Sequence, residues 1–409
     1  MIKFAIPFYY FCHHPFPLAI VKSNAIIRAA TVHDIDELVR LEQASFDTDK
    51  LSRRSFRHML TRGRGITLVY EKQNPKPEKN AGTLCGYVMV LFHAGTSLAR
   101  LYSIAVDPEC RGQGVGRRLV EEVERVSIEH DCVLMRLEVR RDNTASLNLF
   151  ASMGYRQFGL YPDYYEDHME ALRFEKTLGP QLKPDLKAVP YYEQTLEFTC
   201  GPATLMMAMH ALNPEQKLDR REEIRLWREA TTVYMTSGHG GCGPYGLALA
   251  AYHRGFDVEV YVNEEGVLFV DSVRSEDKKE VMRIVEEDFL EQLEHLPVEY
   301  YQRRITLYEL REAFDNGGVP IVLISSYRIY HEKFPHWIVI TGFDDKFVYV
   351  HDPYVDYEKG KTSLDTTNMP ILQKDFEHMS RYGKSGQRAA LILRKPRRKR
   401  RPSLKHSPT

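Results

Sequence analysis

Two groups of residues have the types and spacing for chemistry. The first surrounds a cysteine. In "YEQTLEFTCGPATLMMAMHAL" (192–212), Cys200 directly precedes Gly-Pro and an apolar run of helical spacing, with Pro202 suited to a first helical turn. A thiol at a helix N-terminus is biased toward the reactive thiolate, whereas a free cysteine with no other feature is more often a core residue. A nucleophile also needs a base, a group that orients the base, and a donor for the oxyanion. "PHWIVITGFDDKFVYVHDP" (335–353) reads as a β-hairpin turning at Asp344-Asp345, in which facing residues have numbers summing to about 689. That register sets His336 opposite Asp352 or Pro353, and so pairs an imidazole with a carboxylate for a Cys-His-Asp triad. Gln194, six residues before Cys200, is placed to donate to an oxyanion. Cys242 also precedes Gly-Pro and is a rival nucleophile, but position 236 is Thr236 rather than glutamine, and the residue reads as part of a loop. His239, His331 and His351 read as surface or structural residues.

The second group is "VDPECRGQGVGRRL" (106–119), at the end of a strand and the start of a helix. Gly112, Gly114 and Gly116 let backbone amides approach an anion, and the helix N-terminus adds its dipole. Arg111 and Arg117 add positive charge. The arrangement suits a pyrophosphate, although such a turn alone also serves tight packing. It is not a dinucleotide-binding fingerprint, because no acidic residue closes a following strand of a βαβ unit.

The elements that must hold these residues are legible around them. "IIRAATVHDIDELVRLEQASF" is a short strand, a turn, and a helix with Ile35, Leu38, Val39 and Leu41 on one side. Strands follow at 66–71, 84–92 and 99–106, with a polar hairpin loop "KQNPKPEKNAG" between the first two. A long helix is predicted from about Gly114 to His130, then a strand at 134–140, a helix capped by Asn143, and two closing segments. The Pro-rich stretch 179–190 is patternless. Beyond it come the Cys200 helix, a Gly-rich loop, an Ala-rich helix, a charged helix around 274–296, and strands at 319–327, 336–343 and 347–353.

The chain of 409 residues, 43% hydrophobic and 27% charged, has room for two globular domains. Its six cysteines show no Cys-x-x-Cys spacing, so no zinc ribbon or dithiol is indicated, and reduced thiols imply a cytoplasmic setting. The net charge is zero, but the segment from Arg394 holds eight Lys/Arg and no acid, which leaves 48 basic against 56 acidic residues elsewhere. Such a tail is expected to be disordered, either a solvated solubility tail or a contact for RNA or the ribosome. Residues 1–25 match neither a signal peptide nor a membrane span, and no segment has the length of a transmembrane helix.

"IAVDPECRGQGVGRRLV", "LEVRRDNTASLNLFASMGY" and "YEDHMEALRFEKTL", in that order within residues 26–178, resemble the GNAT N-acetyltransferases, in particular the ribosomal-protein-alanine branch. The resemblance implies a mixed sheet splayed between two parallel strands, with acetyl-CoA as co-substrate in the cleft. It implies that Ile104, Ala105 and Val106 contact the acetyl-pantetheine arm. Arg111, Gly112, Gln113, Gly114, Val115, Gly116 and Arg117 would cradle the pyrophosphate, and Asn143 would lie near the cofactor. It makes Glu138, in "LEVR", the general base. An amine attacks a thioester only when neutral, and an α-amine (pKa about 8) is neutral far more often at pH 7 than a lysine (about 10.4). An α-amino acceptor is therefore the easier substrate, with a carboxylate to take its proton. One departure stands out: the branch has a tyrosine as general acid where this sequence has Phe150. Either the thiolate leaves unaided or Tyr155, Tyr161, Tyr164 or Tyr165 substitutes.

Residues 188–394 resemble the papain-like peptidases that remove double-glycine leaders from bacteriocins. The order there is Gln, five residues, Cys-Gly, then His before an apolar strand, then Asp-Pro; "YGLALAAYHRGF" (245–256) matches their second helix. Those peptidases usually begin an exporter, which this sequence does not contain, and Thr199 stands where aspartate is common. The expectation is thus an α/β, α+β two-domain enzyme. It has an extension (1–25), a GNAT domain (26–178), a linker (179–190), a papain-like α+β cysteine peptidase domain (191–394) and a basic tail (395–409). No metal is called for. A peptide or protein is the expected substrate of both domains. The alternatives are a C-terminal domain that holds a peptide without cutting it, and a transpeptidase.

Overall fold

The computed structural model describes residues 19–20, 25–72, 83–178, 185–231, 240–264, 267–270, 273, 275–332, 334–359, 361–383 and 385–396. Expectations for the N-terminal extension, the polar hairpin loop, the start of the linker, His239 and most of the basic tail lie outside them. The described residues divide into two compact units. One is drawn from Met1–Phe92 and Ala99–Leu178, the other from His93–Leu98 and Gly179–Thr409.

The first unit is built on a mixed sheet of β1 (Ala19–Ile20), β2 (Ala25–Ala29), β3 (Gly65–Lys72), β4 (Thr83–Phe92), β5 (Leu98–Val106), β6 (Leu134–Arg140), β7 (Arg156–Tyr161) and β8 (Ala171–Thr177). Their order is β1-β2-β3-β4-β5-β6-β8-β7. The helices are α1 (Ile35–Ser45), α2 (Arg53–Thr61), α3 (Val115–Glu129) and α4 (Thr144–Ser152). β4 reads as an unbroken apolar run because both of its faces are covered. Tyr87 and Met89 pack with Leu38, Leu41 and Phe56 from α1 and α2, whereas Val88 and Val90 pack with Leu119 and Val123 from α3. α2 was not anticipated; its start is set by Ser52, whose hydroxyl caps the Ser55 amide at 3.1 Å. The β5–α3–β6 crossover sets the glycine-rich turn at the end of β5 and Glu138 on the neighbouring strand.

The second unit is a largely antiparallel sheet of β10 (Asp257–Val262), β11 (Glu299–Tyr301), β12 (Val319–Ser325), β13 (Pro335–Phe343), β14 (Phe347–His351), β15 (Met369–Leu372) and β16 (Ala389–Arg394), in the order β11-β10-β16-β12-β13-β14-β15. β9 (Asp185–Leu186) pairs beside β13. One face packs α5 (Cys200–Leu212), α6 (Arg220–Ala230), α7 (Pro244–His253) and α8 (Glu276–Glu294) through Met206, Leu247, Phe289 and Trp337. The other packs α9 (Leu307–Asp315) and α12 (Gln373–Met379) through Leu310, Phe314 and Phe376. α10 (Tyr327–Tyr330) and α11 (Ser363–Thr366) are single turns. α5 is apolar almost all round, as a helix must be when it is walled in by both sheet and helices.

One expectation is corrected here. The hairpin of β13 and β14 pairs Val339 with His351 and Phe343 with Val348, so the numbers sum to 690 and then 691 instead of 689. A bulge between Ile340 and Gly342 produces that shift. The interior strands β10 and β16 were not anticipated, and neither was the edge strand β15. Each is a short apolar stretch that only long-range pairing makes a strand.

Candidate active sites

In the first unit, a register shift between Met89 and Val90 leaves Tyr102 as an extra residue in β5, just before Ser103. Downstream, Ala105 is buried toward α1, while Ile104 and Val106 lean on the opposite core. Asp107 then caps the turn Pro108–Cys110 through the Glu109 amide (3.0 Å), and Arg111 Nε bonds back to the Val106 carbonyl at 3.2 Å. Gly112 and Gly114 have φ of +74° and +77°, a left-handed backbone that favours glycine. A Cβ at either would meet no protein atom within 4 Å, so these glycines serve backbone shape and an open face. Gly116 differs: a Cβ there would meet Leu149 at 3.4 Å and Val106 at 3.7 Å, ordinary van der Waals contacts with the core. The first helical hydrogen bond of α3 runs from Arg118 N to Gly114 O, so the amides of Val115, Gly116 and Arg117 precede it. Gln113 is braced by Lys72 (2.9 Å) and the Glu109 carbonyl (3.0 Å), and Arg117 by Ser152 Oγ (2.7 Å). This glycine cradle with leading amides and two arginines fits a pyrophosphate. Asn143 spends its oxygen on capping α4 at Ser146 N (3.1 Å) and is exposed.

Glu138 is interior. Its carboxylate lies 3.2 Å from the Arg100 guanidinium on β5, both side chains are almost wholly buried, and Arg100 donates onward to the Tyr164 hydroxyl (3.0 Å). Phe150 is 2% exposed, edge-on to Tyr155 at 5.2 Å. The Tyr155 hydroxyl is itself spent on Met135 Sδ in the core. Of the tyrosines available to replace the missing phenol, Tyr164 adjoins Glu138, Tyr161 stacks on Tyr164 (5.6 Å), and Tyr165 packs against it (5.1 Å). Burial, then the Glu138 charge, push the Tyr164 and Tyr165 hydroxyls well above the usual phenol range, so both stay protonated. Sequence reasoning missed Arg100; a charged residue inside the apolar strand "LARLYSIAV" was the available signal.

In the second unit, β13 and β14 bring His336 and Asp352 together: imidazole Nε2 lies 2.6 Å from carboxylate Oδ1, with both residues sealed from solvent. Asp352 also accepts from the Tyr330 hydroxyl (2.7 Å) and the Tyr354 amide (2.9 Å). Burial pushes the Asp352 carboxyl up, but these partners outweigh it and hold it low. Burial likewise pushes the His336 imidazole down, yet the Asp352 charge and the neighbouring Cys200 sulfur raise it to about 10. With Nε2 on Asp352, Nδ1 remains for proton exchange with sulfur. Cys200 opens α5 and is 9% exposed.

The loop before Cys200 hangs on one buried carboxylate that sequence reasoning missed. Glu223 of α6 accepts from the Tyr192 hydroxyl (3.0 Å), the Thr195 amide (2.8 Å) and hydroxyl (2.7 Å), and the Thr199 hydroxyl (2.5 Å). This gives Thr199 a physical reason: an aspartate there would face Glu223 charge to charge. Gln194 lies in the same loop, its backbone amide on the Pro353 carbonyl (2.9 Å) and its Nε2 on the Leu196 carbonyl (2.8 Å). One amide hydrogen is therefore left for a ligand. Cys242 bridges Thr231 through its backbone, and its carbonyl receives Trp337 Nε1 (3.0 Å). Its thiol is fully buried, and burial, then Cys200, drive it far above the usual thiol range. His351 is buried between the Val189 carbonyl and the Asn368 amide, and His331 ends α10 with a φ of +61°.

A model of the acetyltransferase (GNAT) family matches residues 32–155, and a model described as the Peptidase_C39 like family matches residues 189–394. The putative [ribosomal protein bS18]-alanine N-acetyltransferase of Bacillus subtilis is 30% identical over 151 residues, 37% of this chain and 93% of that protein. N-alpha-acetyltransferase RimI of Mycobacterium tuberculosis is 37% identical over 89 residues, 21% of this chain and 54% of that protein. An uncharacterized protein of Mycobacterium leprae is 31% identical over 152 residues, 36% of this chain; the chain spans 39% of that relative. Among solved structures, the ribosomal-protein-S18-alanine N-acetyltransferase of Escherichia coli aligns at 22% identity and a TM-score of 0.34, covering 39% of this chain and 97% of that one. The chain belongs to the GNAT acetyltransferases through its first unit and to the Peptidase_C39 like family through its second. Acetyl-CoA is the co-substrate of GNAT acetyltransferases. Among the described residues, no helix is long and apolar enough to cross a membrane, and no His/Cys/Asp/Glu cluster suits a metal ion.

Proposed function

We propose that the chain joins an N-acetyltransferase for the α-amine of a peptide or protein to a papain-like cysteine peptidase. The observation that carries the peptidase reading is the sealed 2.6 Å contact of His336 with Asp352 beside Cys200 at the start of α5. In this reading His336, protonated below about pH 10, already holds at Nδ1 the proton that Cys200 gives up, and the sulfur attacks the peptide carbonyl as a thiolate. The free amide hydrogen of Gln194 and the helix N-terminus meet the developing oxyanion. The imidazolium returns its proton to the leaving amine, a thioester to Cys200 forms, and water activated by His336 releases the acid. Asp352 keeps the imidazole oriented and stabilises its charge.

In the first unit the Gly112–Arg117 turn, with Arg111, holds the pyrophosphate, and Ile104, Ala105 and Val106 flank the arm. Acetyl-CoA supplies the acyl group as a thioester. Glu138, directly or through water, takes the proton of the amine, at the cost of part of its pairing with Arg100. Tyr164, a protonated phenol beside that carboxylate, takes the place of the phenol absent at Phe150. The relatives' names place a ribosomal protein's alanine among the acceptors worth testing. Proteolysis exposes an α-amine that acetylation then consumes, which gives the fusion a shared substrate.

The test is intact-mass analysis of peptides with an N-terminal alanine, and of longer peptides with that alanine internal, incubated with and without acetyl-CoA. Cys200→Ala should abolish cleavage and spare acetylation, and Glu138→Gln should do the reverse. Cleavage that survives Cys200→Ala would sink the peptidase assignment.

A further inference from the structure

Across the sheet from α5 lies a cavity partly open to solvent, unrelated to either constellation above. Its floor is apolar, formed by Leu310, Val322, Phe376 and Ala390, all members of the core on the face away from Cys200. Its rim is cationic. Arg304 and Arg388 line it, and Arg381 stands beside Arg388. The turn between Tyr382 and Gln387 explains the pairing. These two residues form an antiparallel bridge, with Gly383 and Gly386 at positive φ, so the next pair outward is Arg381 and Arg388. The backbone of Arg388 is pinned further: its amide donates to Asn263 Oδ1 at 2.6 Å, and its carbonyl accepts from Asn263 N at 3.2 Å.

Like charges set opposite each other across strands are destabilising. Among the described residues no carboxylate forms an ion pair with Arg304, Arg381 or Arg388. Glu377 is the one acid on the rim, and Arg388 bonds its backbone carbonyl (3.3 Å). Burial, then Arg381 and Arg304, push the Arg388 guanidinium down from its usual value, with Glu377 opposing. An anion among the three would relieve that crowding, and guanidinium forks match a carboxylate two bonds at a time. A bare phosphate would leave the apolar floor uncovered.

We infer that this cavity is a binding site for a carboxylate carried on an apolar group, such as a peptide's C-terminus ending in an apolar side chain. The bound group sits across the sheet from Cys200, so it is held apart from the sulfur and is not the group being cut. This inference stands independently of the peptidase reading.

Isothermal titration calorimetry on the full chain, carrying Cys200→Ala so that no probe is cleaved, tests it with four probes. These are N-acetyl-Gly-Leu-Phe as the free acid, the same peptide as its amide, 3-phenylpropionate, and inorganic phosphate. Binding of the peptide acid without its amide supports the site with a peptide as source; binding of phenylpropionate without the peptide acid supports it with a small free acid. Arg304→Gln and Arg388→Gln should each weaken the bound acid about tenfold or more, and salt should weaken it further. Arg304 is exposed, so its variant folds even if that of Arg388 does not. No acid binding at about 10 mM, equal binding of acid and amide, phosphate binding as tightly as the acids, or indifference to Arg304→Gln would each overturn the proposal.

Discussion

The two candidate sites each bury a carboxylate, and the partner of each decides what that carboxylate can do. Glu138 faces the guanidinium of Arg100, which keeps its proton at any pH a protein survives. Asp352 faces the imidazole of His336, which does not. In the proposed peptidase the buried acid therefore works through its partner: the imidazole moves protons while Asp352 stays charged and still. In the proposed acetyl-transfer site the partner cannot move a proton, so the proposed mechanism gives that task to the carboxylate itself or to Tyr164 beyond it. Burial is common to both sites; the chemistry of the counter-group sets the division of labour.

The largest effect expected from this contrast is at Glu138. Glu138→Gln should lower acetyl transfer by roughly 10²–10⁴-fold while leaving acetyl-CoA binding intact, because only a carboxylate takes the proton. Steady-state rates set against calorimetric affinity check it. A Glu138→Gln enzyme at full speed would move the base elsewhere. Arg100→Ala should instead cost stability, about 3–5 kcal/mol, because it strands a buried charge. Thermal melting distinguishes the two variants.

The histidine site gives a pH signature that the arginine site lacks. Folded His336 titrates at about 10, against about 6.5 for an unfolded histidine. The stability from that difference is complete below about pH 6.5 and is lost as the pH rises through the folded value. The second unit is thus expected to melt at progressively lower temperature on the alkaline side, and Asp352→Asn should flatten the slope. An equal slope in both proteins would detach Asp352 from the imidazole.

The smallest effect is at Phe150. Phe150→Tyr would bury a hydroxyl in the packed core beside Tyr155, where a hydroxyl left unpaired costs about 1–3 kcal/mol. The variant should melt earlier and acetylate no faster. A faster enzyme would mean that the phenol at this position reaches the reacting atoms and that Tyr164 is not its substitute.

What could be read in advance was local. The glycine turn announces itself because the positive φ of Gly112 and Gly114 is a property of a few successive residues. His336 and Asp352 could be paired because a hairpin turns a sequence interval into a distance. The bulge near Thr341 shifted the register without separating them, since Asp352 lies just past the end of β14, where a side chain has latitude. Arg100 stands out as a charge inside an apolar strand, but its partner does not, and Glu223 and Tyr330 are not legible. Each acts on a residue at least 22 positions away through elements whose packing no local pattern encodes. β10 and β16 were missed for the same reason: what makes "DVEVYV" and "AALILR" interior strands is each other.

The claim on which the second half of this account rests is that Cys200 is the reactive thiol, its proton shared with His336. The measurement that tests it most directly is peptide mapping by mass spectrometry after brief iodoacetamide treatment at pH 6. Burial holds Cys85 and Cys132 at about 12 and Cys242 higher still, so these should stay unmodified. Cys200 should label first, and His336→Ala should slow that labelling sharply. If Cys242 labels before Cys200, or if Cys200 is modified only after denaturation, Cys200 is a core residue and the triad does not operate.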